Sequence, residues 1–357
     1  MKIKYLSTGN EACGEGAVRG GCTFYAGYPI TPQNELTSYM SRRMDETGGT
    51  FIQAESELAA INMVFGASVA GARAMTSSSS PGISLKQEGI SYIAGAELPA
   101  LIVNVMRGGP GLGNISASQS DYFQATKGGG HGDYRVVVFA PATVQEMFDL
   151  TYNAFPVADK YRIPVMILAD GMLGQMMETL EFDGNMKPAG VVDKTWSLQG
   201  AKSRKPQSVK SLLLGDGVLE AHNEKLQKKY REIEKNETKV ELYKTADADV
   251  CIVAYGLVGR IARVVVDDLR KKKIKAGLIR PITLWPFPYG AIRDIAVKGK
   301  KFLVVEMSAG QMVEDVRLAV QDDKRVEFYG RMGGGVPEEK VMFEKIERMS
   351  ATLSSRK

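Results

Sequence analysis

The chain has 357 residues, of which 44% are hydrophobic and 24% are charged, a composition typical of a folded protein with room for two domains. Its formal net charge of +5 is small, and its basic residues concentrate in residues 202–235 and 270–275. These clusters indicate solvated helix faces rather than a nucleic-acid interface. No stretch reaches the ~18 uninterrupted apolar residues of a membrane span, and the first residues lack the pattern of a secretion signal. We therefore expect a cytoplasmic protein that binds neither nucleic acid nor membrane.

The three cysteines, Cys13, Cys22 and Cys251, form no C-x-x-C pair, and the two histidines, His131 and His222, lie far apart in the sequence. An iron–sulfur cluster requires several thiolates, and a zinc site requires clustered nitrogen and sulfur ligands. We therefore expect no metal site built by this chain alone. If the protein takes part in electron transfer, another chain must carry the electrons.

Apolar, β-branched segments alternate with helical periodicity through the first half of the chain. Strands are predicted at residues 23–28, 50–54, 100–106, 136–139 and 164–169, and helices at residues 32–47, 57–70, 83–96 and 144–160. This alternation predicts an α/β fold with a parallel sheet covered on both faces. Ligands bind such sheets beyond the carboxyl ends of the strands.

In the second half of the chain, the alternation of strands and helices first breaks down and then predicts another α/β unit. We assign residues 1–185 to the first domain, 186–246 to a linker with an exposed helix near residues 219–230, and 247–357 to the second domain. In the second domain, strands are predicted at residues 250–255, 276–282, 302–306 and 326–329, and helices at 258–271, 313–321 and 338–349.

The segment YPITP at residues 28–32 follows the first predicted strand. Its two prolines restrict the backbone on both sides of Thr31, so the hydroxyl and the nearby amides are held stiffly before a helix. Thr31 is either the N-cap of that helix, with Pro32 at its first position, or a ligand for an anion.

The motifs that follow carry a family resemblance. They are AESELAA at 54–60, TSSSSPG at 76–82, MRGGPGLG at 106–113 and GGGHGDY at 128–134. With YPITP they resemble, in the same order, the α subunits of 2-oxoacid:ferredoxin oxidoreductases, which use thiamin diphosphate to decarboxylate 2-oxoacids onto coenzyme A. GHGDY and GQMME (174–178) are most similar to the branched-chain, 2-oxoisovalerate subfamily, and the 2-oxoglutarate subfamily is the alternative.

This resemblance covers essentially the whole chain. It implies a thiamin-diphosphate-type pyrimidine-binding domain with a parallel sheet, followed by a transketolase-C-like α/β domain that contains RPITLWPFP at 280–288. It also places Glu57 as the catalytic carboxyl group, against N1′ of the aminopyrimidine ring. A first-turn acid that only stabilises the helix dipole is the alternative, and Glu55 is the other candidate for that role.

The expected substrate ligands lie at the ends of neighbouring strands. Arg107 follows an apolar strand and suits the carboxylate of a 2-oxoacid, with Thr31 opposite and Tyr28 nearby. A structural salt bridge is the alternative for Arg107. His131 is a further candidate, although an exposed loop histidine is the simpler interpretation.

The expected cofactor ligands are Ile30, Ser79, Gly82 and Gly109, together with Glu57. Hydroxyls and free amides before a helix suit an anion, such as a coenzyme A phosphate or the polar face of the cofactor. The loop 108–113 does not match a dinucleotide fingerprint. We interpret it as a loop that approaches cofactor or substrate closely.

The resemblance assigns the remaining parts to other chains. The Mg²⁺ and diphosphate ligands of the cofactor belong to a β subunit, and iron–sulfur clusters belong to partner subunits. The expected assembly contains γ and ferredoxin-like δ subunits as a dimer of heteromers, with ferredoxin as electron acceptor and coenzyme A as co-substrate. Gly215, Asp216 and Asn236 have about the spacing of the Mg²⁺ motif, but a charged helix separates them and no apolar strand precedes the asparagine.

Two other functions remain open from the residues alone. One is a free-standing α/β enzyme that binds acyl-CoA or a nucleotide. The other is a non-catalytic scaffold within the complex.

Overall fold

The structure is a computed structural model that describes residues 1–354. Its strands are β1 (Lys2–Thr8), β2 (Phe24–Gly27), β3 (Thr50–Gln53), β4 (Ala74–Ser78), β5 (Ala100–Met106), β6 (Val137–Phe139), β7 (Pro164–Asp170), β8 (Met177–Asp183), β9 (Val240–Tyr243), β10 (Val250–Val253), β11 (Ala276–Pro281), β12 (Thr283–Trp285), β13 (Lys301–Glu306) and β14 (Val326–Gly330). Its helices are α1 (Gly9–Arg19), α2 (Asn34–Thr47), α3 (Glu57–Val69), α4 (Ser80–Gly95), α5 (Tyr122–Thr126), α6 (Val144–Tyr161), α7 (Gly171–Gln175), α8 (Val218–Glu237), α9 (Gly256–Lys271), α10 (Tyr289–Ala296), α11 (Met312–Val320) and α12 (Glu339–Ser354).

The larger sheet has seven strands in the order β12-β6-β7-β5-β4-β2-β3. The strands from the first half of the chain run parallel, and β12 joins the edge antiparallel to β6. Every residue of β4, β5 and β7 is buried, as expected for strands covered by helices on both faces. The predicted α/β class is confirmed, and the parallel sheet gains an antiparallel edge strand.

The smaller sheet has five strands in the order β14-β13-β10-β11-β9. It is parallel except for β9, which runs antiparallel to β11. Helix α9 buries Val258, Ala262, Val266 and Leu269 in the core of this unit. Within residues 1–354, no helix is long and apolar enough to cross a membrane.

Strands β1 and β8 form a separate antiparallel ribbon, paired from Lys2 with Asp183 to Thr8 with Met177. The sequence did not predict this ribbon. Most side chains of β1 are exposed, so its residues lack the apolar content by which a buried strand is recognised.

Residues from the second half of the chain reach into the first unit. Arg280 is buried and donates through Nη1 and Nη2 to Glu146 of α6 at 2.9 and 2.7 Å, while its Nε donates to Glu241 of β9 at 2.6 Å. Strand β12 lies in the segment assigned to the second domain but pairs with the first sheet, and β9 lies in the assigned linker but pairs with the second. The domain boundaries therefore stay a prediction.

Helix α8 lies within the predicted linker. Most of its residues are exposed, and Leu226, Tyr230 and Ile233 are buried. Its lysines Lys225 and Lys229 both bond the carboxylate of Glu97, the latter at 3.0 Å. Burial by itself raises the pKa of Glu97, but the two lysines outweigh it and lower that pKa to about 2.

We expect Glu97→Gln to lower the thermal stability of the protein at pH 7, because it removes the carboxylate that joins α8 to the first unit. After solvent screening of the exposed Lys225, the loss should be about 1–2 kcal/mol. A carboxyl with a depressed folded-state pKa contributes fully above its unfolded pKa, so the difference from wild type should shrink as pH falls from about 4.5 towards about 2. Calorimetric unfolding of variant and wild type measures this difference in stability. Glu232→Gln, on the exposed face of α8, is the control. Equal stabilities at pH 7 would contradict the prediction.

Candidate active site

The turn after β2 presents Tyr28 and Thr31 beyond the carboxyl end of the large sheet. Tyr28 is exposed and Thr31 half-buried. Helix α2 begins at Asn34 with Gln33 as its N-cap residue, so the interpretation of Thr31 as the N-cap is wrong. The Thr31 hydroxyl instead accepts a hydrogen bond from Asn34 Nδ2 at 3.3 Å.

A buried network behind this turn explains its rigidity. Ser77 Oγ donates to Gln33 Oε1 at 2.6 Å, and the Tyr25 hydroxyl lies 2.6 Å from Ser77 Oγ. Gln33 Nε2 in turn donates to the Tyr28 carbonyl at 3.4 Å, and Asn10 Nδ2 donates to the carbonyl of Pro32 at 2.9 Å. The sequence analysis missed these residues, because their role depends on contacts between distant parts of the chain.

Glu57 is the first residue of α3 and is buried. Its carboxyl group lies over Gly82, where a Cβ would come 2.4 Å from Glu57 Oε1 and 2.0 Å from Ser78 Oγ. Only glycine leaves room for this approach. Among the described residues, no side chain or backbone group hydrogen-bonds the Glu57 carboxyl. Glu55 precedes the helix and is exposed, so it is not the first-turn acid of α3.

Three hydroxyls along β4 and at the start of α4 are buried without a hydrogen-bond partner, and that of Ser78 lies beside this carboxyl. They belong to Thr76 and Ser78 of β4 and to Ser79, the N-cap residue of α4. Buried polar groups are almost always bonded, so unpartnered hydroxyls beside a free carboxyl fit a polar ligand. Ile30 is half-buried in the turn after β2. The residues expected to bind cofactor here are therefore compatible with a ring that carries hydrogen-bonding groups.

Arg107 follows β5 and is buried. Its Nη1 donates to the Thr31 carbonyl at 3.0 Å and its Nη2 to the Leu112 carbonyl at 3.2 Å, while Nε has no partner. No carboxylate among the described residues pairs with this guanidinium, so the salt-bridge alternative is wrong. A buried, uncompensated guanidinium with free N–H groups suits a carboxylate ligand.

The N-terminus of α4 connects Arg107 to a half-buried acid. Ser80 Oγ accepts from the Arg107 amide at 3.0 Å and donates to Asp121 Oδ2 at 2.6 Å, and Asn104 Nδ2 also bonds Asp121 at 2.9 Å. Burial raises the pKa of Asp121, and these two bonds oppose the rise. Asp121 was not predicted, because nothing in its local sequence marks it as buried.

The loop after Arg107 borders a cavity of about 380 Å³ between the two units. The residues that line it are Gly109, Pro110, Ser118, Ser120, Asp121, Met307, Ser308, Ala309, Gln311, Met332 and Gly333. A Cβ at Gly109 would meet no atom within 4 Å, whereas Gly113 has φ of +59° and a Cβ there would lie 1.8 Å from the Gly108 carbonyl. The close approach of residue 113 to the Gly108 carbonyl therefore requires a glycine. At Gly109, by contrast, the missing side chain leaves open space beside the cavity.

His131 lies apart from these groups. It is exposed in the loop after α5, its ring packs edge-on against Tyr92 at 6.0 Å, and its carbonyl accepts from Ser91 Oγ at 2.7 Å. Both contacts are to the C-terminal half of α4. No contact within the described chain brings His131 to Glu57 or Arg107.

The described residues 1–354 contain no group of His, Cys, Asp and Glu that suits a metal ion. Burial raises the pKa of Cys13, Cys22 and Cys251 to about 12, so these thiols are protonated and poor ligands. Asp216 and Asn236 lie at opposite ends of α8, roughly 27 Å apart along a helix that rises 1.5 Å per residue. They cannot share a cation.

The site therefore combines a buried carboxyl, unpartnered hydroxyls and a buried guanidinium at one edge of a parallel sheet. The first turn of α4 lies beside the Glu57 carboxyl at Gly82 and bonds the main-chain amide of Arg107 through Ser80. Such a site can hold a proton at one point and an anion at another. This arrangement suits an anionic group beside a second, polar ligand.

Comparison with known proteins identifies the family. The family model described as pyruvate flavodoxin/ferredoxin oxidoreductase, thiamine diP-binding, matches residues 15–242, and the one described as pyruvate:ferredoxin oxidoreductase core domain II matches residues 248–341. The chain belongs to the 2-oxoacid:ferredoxin oxidoreductase family, as its motifs indicated.

Individual relatives agree with this assignment. The chain is 51% identical over 350 residues to ketoisovalerate oxidoreductase subunit VorB of Methanothermobacter thermautotrophicus, which covers 97% of this chain and 98% of that protein. It is 35% identical over 367 residues to 2-oxoglutarate synthase subunit KorA of Methanocaldococcus jannaschii, covering 95% and 98%. The solved 2-oxoglutarate:ferredoxin oxidoreductase of Magnetococcus marinus superposes with a TM-score of 0.85 at 27% identity, over 97% of this chain and 65% of that one.

We expect Glu57→Gln to leave assembly with partner chains intact and to lower turnover by ~10²–10⁴-fold, the usual contribution of a general acid–base group. Glutamine keeps the volume over Gly82 but cannot exchange a proton at Oε1. Steady-state rates of the assembled enzyme measure the change, and the exposed neighbour Glu55→Gln is the matched control. A loss below tenfold with normal cofactor occupancy would assign Glu57 to helix stabilisation.

Proposed function

We propose that this chain is the α-type subunit of an enzyme that oxidatively decarboxylates a 2-oxoacid onto coenzyme A and passes the electrons to ferredoxin. The observation that carries the proposal is the buried, unbonded Glu57 carboxyl over Gly82, at the same sheet edge as the Arg107 guanidinium. Bound thiamin diphosphate supplies the carbon nucleophile and the electron sink for this chemistry. The chain supplies the groups that bind the aminopyrimidine ring and the substrate carboxylate.

Each residue then has a defined task. Glu57 holds or releases a proton at Oε1 against the ring, and the hydroxyls of Ser78 and Ser79 bind its polar edge. Arg107 binds the substrate carboxylate through the N–H groups that its two carbonyl bonds leave free. Thr31, Tyr28 and Ile30 complete that side of the site, and Gly109 leaves space beside it. His131 is the least supported substrate ligand, because its contacts lie elsewhere.

The substrate is a branched-chain acid of the 2-oxoisovalerate type. Two observations support this choice over 2-oxoglutarate. Identity is 51% to a ketoisovalerate oxidoreductase subunit but 35% to a 2-oxoglutarate synthase subunit. In addition, the cavity beside Gly109 is lined by apolar residues such as Met307, Met332 and Pro110, by three serines and Gln311, and by one acid, Asp121, but by no cation. Such a lining suits an aliphatic side chain better than a second carboxylate.

The missing parts belong to partner chains. A β subunit supplies the Mg²⁺ and diphosphate ligands, and partner subunits carry the iron–sulfur clusters. We propose a complex with γ and ferredoxin-like δ subunits, arranged as a dimer of heteromers in the cytoplasm, with coenzyme A as co-substrate.

The isolated chain should therefore bind thiamin diphosphate weakly and without dependence on Mg²⁺, and it should not oxidise 2-oxoacids. Calorimetric titration of the chain alone, and of the chain copurified with its partners, measures the difference. Tight, Mg²⁺-dependent binding to the isolated chain would favour a free-standing enzyme. Full activity of the complex with Glu57→Gln would favour a scaffold.

Arg107→Lys should impair every 2-oxoacid substrate alike, because each carries the carboxylate that Arg107 binds. Lysine retains the charge but loses the two-pronged geometry, and a lost charge-assisted hydrogen bond costs about 1.5–3 kcal/mol, or roughly 10–150-fold in kcat/KM. Thr31→Val should act in the same direction if its hydroxyl binds substrate, with Asn34→Ala as control for the local turn. The measurement is kcat/KM for 2-oxoisovalerate, pyruvate and 2-oxoglutarate. A selective fall for one acid would place Arg107 in the specificity pocket instead.

A further inference from the structure

Helices α3 and α4 cross in close contact along one face of α4. A Cβ at Gly89 would lie 2.6 Å from the side chain of Ile61, and a Cβ at Gly82 would lie 2.4 Å from Glu57 Oε1. Lys86 lies between these glycines, four residues after Gly82 and three before Gly89, so the three share one face of the helix. The long side chain of Lys86 is therefore directed at the start of α3.

Lys86 is fully buried. Its Nζ donates to the main-chain carbonyl of Glu57 at 3.3 Å, and it makes no direct ion pair among the described residues. An ammonium group has three donors, so this hydrogen bond leaves it incompletely satisfied. Removing such a charge from water is unfavourable unless an opposite charge lies nearby.

The opposite charge that acts on Lys86 is the carboxylate of Glu57. Burial lowers the pKa of Lys86 to about 8, and the attraction of Glu57 opposes this fall. The ammonium is therefore charged at neutral pH and loses its charge as pH rises through about 8. A methionine would fill the same space without this cost, so packing alone does not account for a lysine here.

We propose that Lys86 is a positioning residue for the proposed reaction: its ammonium places a positive charge beside the buried Glu57 carboxyl, and its hydrogen bond holds the first turn of α3 against Gly82. This inference rests on the proposed role of Glu57. A positive charge beside the carboxylate disfavours a proton on Oε1 and thus favours transfer of that proton to the bound ring nitrogen. Lys86 acts through Glu57 and does not touch the substrate.

The test uses the assembled complex with Lys86→Met, which keeps side-chain length and removes the charge. If the Lys86 charge favours the carboxylate form of Glu57 by one pKa unit, thiamin diphosphate binding at pH 7 should take up more protons in wild type than in the variant, by up to about half a proton. Calorimetry in buffers of different ionisation enthalpy measures this uptake, and proton exchange at the diphosphate cancels in the comparison. Ile90→Val, a small change in the buried face of α4, should match wild type.

Kinetics supply the second readout. At pH 7, Lys86→Met should lower kcat by about tenfold. One pKa unit corresponds to a tenfold change in how the proton divides between Glu57 Oε1 and the bound ring nitrogen. The wild-type rate should fall as pH rises through about 8 towards that of Lys86→Met, whose profile should lack this step. In a Glu57→Gln background, Lys86→Met should have no further effect.

The outcomes separate this inference from the proposed function. A fully active Glu57→Gln complex overturns both. The role of Lys86 alone is overturned if Glu57→Gln impairs the complex but Lys86→Met shows wild-type proton uptake and rate. Additive effects of the two substitutions in the double variant overturn that role as well. If Lys86→Met does not assemble, the wild-type complex decides: a flat rate and constant proton uptake between pH 7 and about 9 overturn the role.

Discussion

The contact between α3 and α4 at Gly82 is the constraint on which the proposed site depends. Without a side chain at this position, the Glu57 carboxyl and the Ser78 hydroxyl occupy the volume that a Cβ would take. The carboxyl is thereby buried at the carboxyl end of β4, beside the unpartnered hydroxyl of Ser78. The same helix contact buries Lys86 beside the first turn of α3. Burial makes both charges sensitive to each other, because little water is present to screen them.

The other half of the site depends on a different kind of support. Backbone carbonyls of Thr31 and Leu112 orient the Arg107 guanidinium, and no acid neutralises it. The turn that provides the Thr31 carbonyl is held by the Gln33 and Tyr25 network. Neutral acceptors fix the geometry of a cation without satisfying its charge. The guanidinium therefore remains available for an anion.

The sequence predicted the fold well where strands are buried on both faces, as for β5 and β7, because such strands are continuous apolar runs. It missed the buried strand β4, in which three of the five residues carry hydroxyls rather than apolar side chains. It also missed β1 and β8, whose exposed residues lack that pattern, and β12, whose pairing with β6 joins segments far apart in the chain. In the site, the order of the motifs indicated Glu57, Arg107 and Thr31. Lys86, Gln33 and Asp121 were not indicated, because a lysine, a glutamine or an aspartate in isolation is usually an exposed residue.

The sequence by itself determined the family, the α/β class and the positions of the motifs after the strands, since these depend on local composition and order along the chain. Only the tertiary structure decided which polar residues are buried together. It placed Glu57 over Gly82 and Lys86 beside the first turn of α3, left Arg107 without an acid, and packed His131 against the C-terminal half of α4. The physical reason is that the ionisation and pairing of a polar group depend on what surrounds it in space, and those neighbours come from distant parts of the chain.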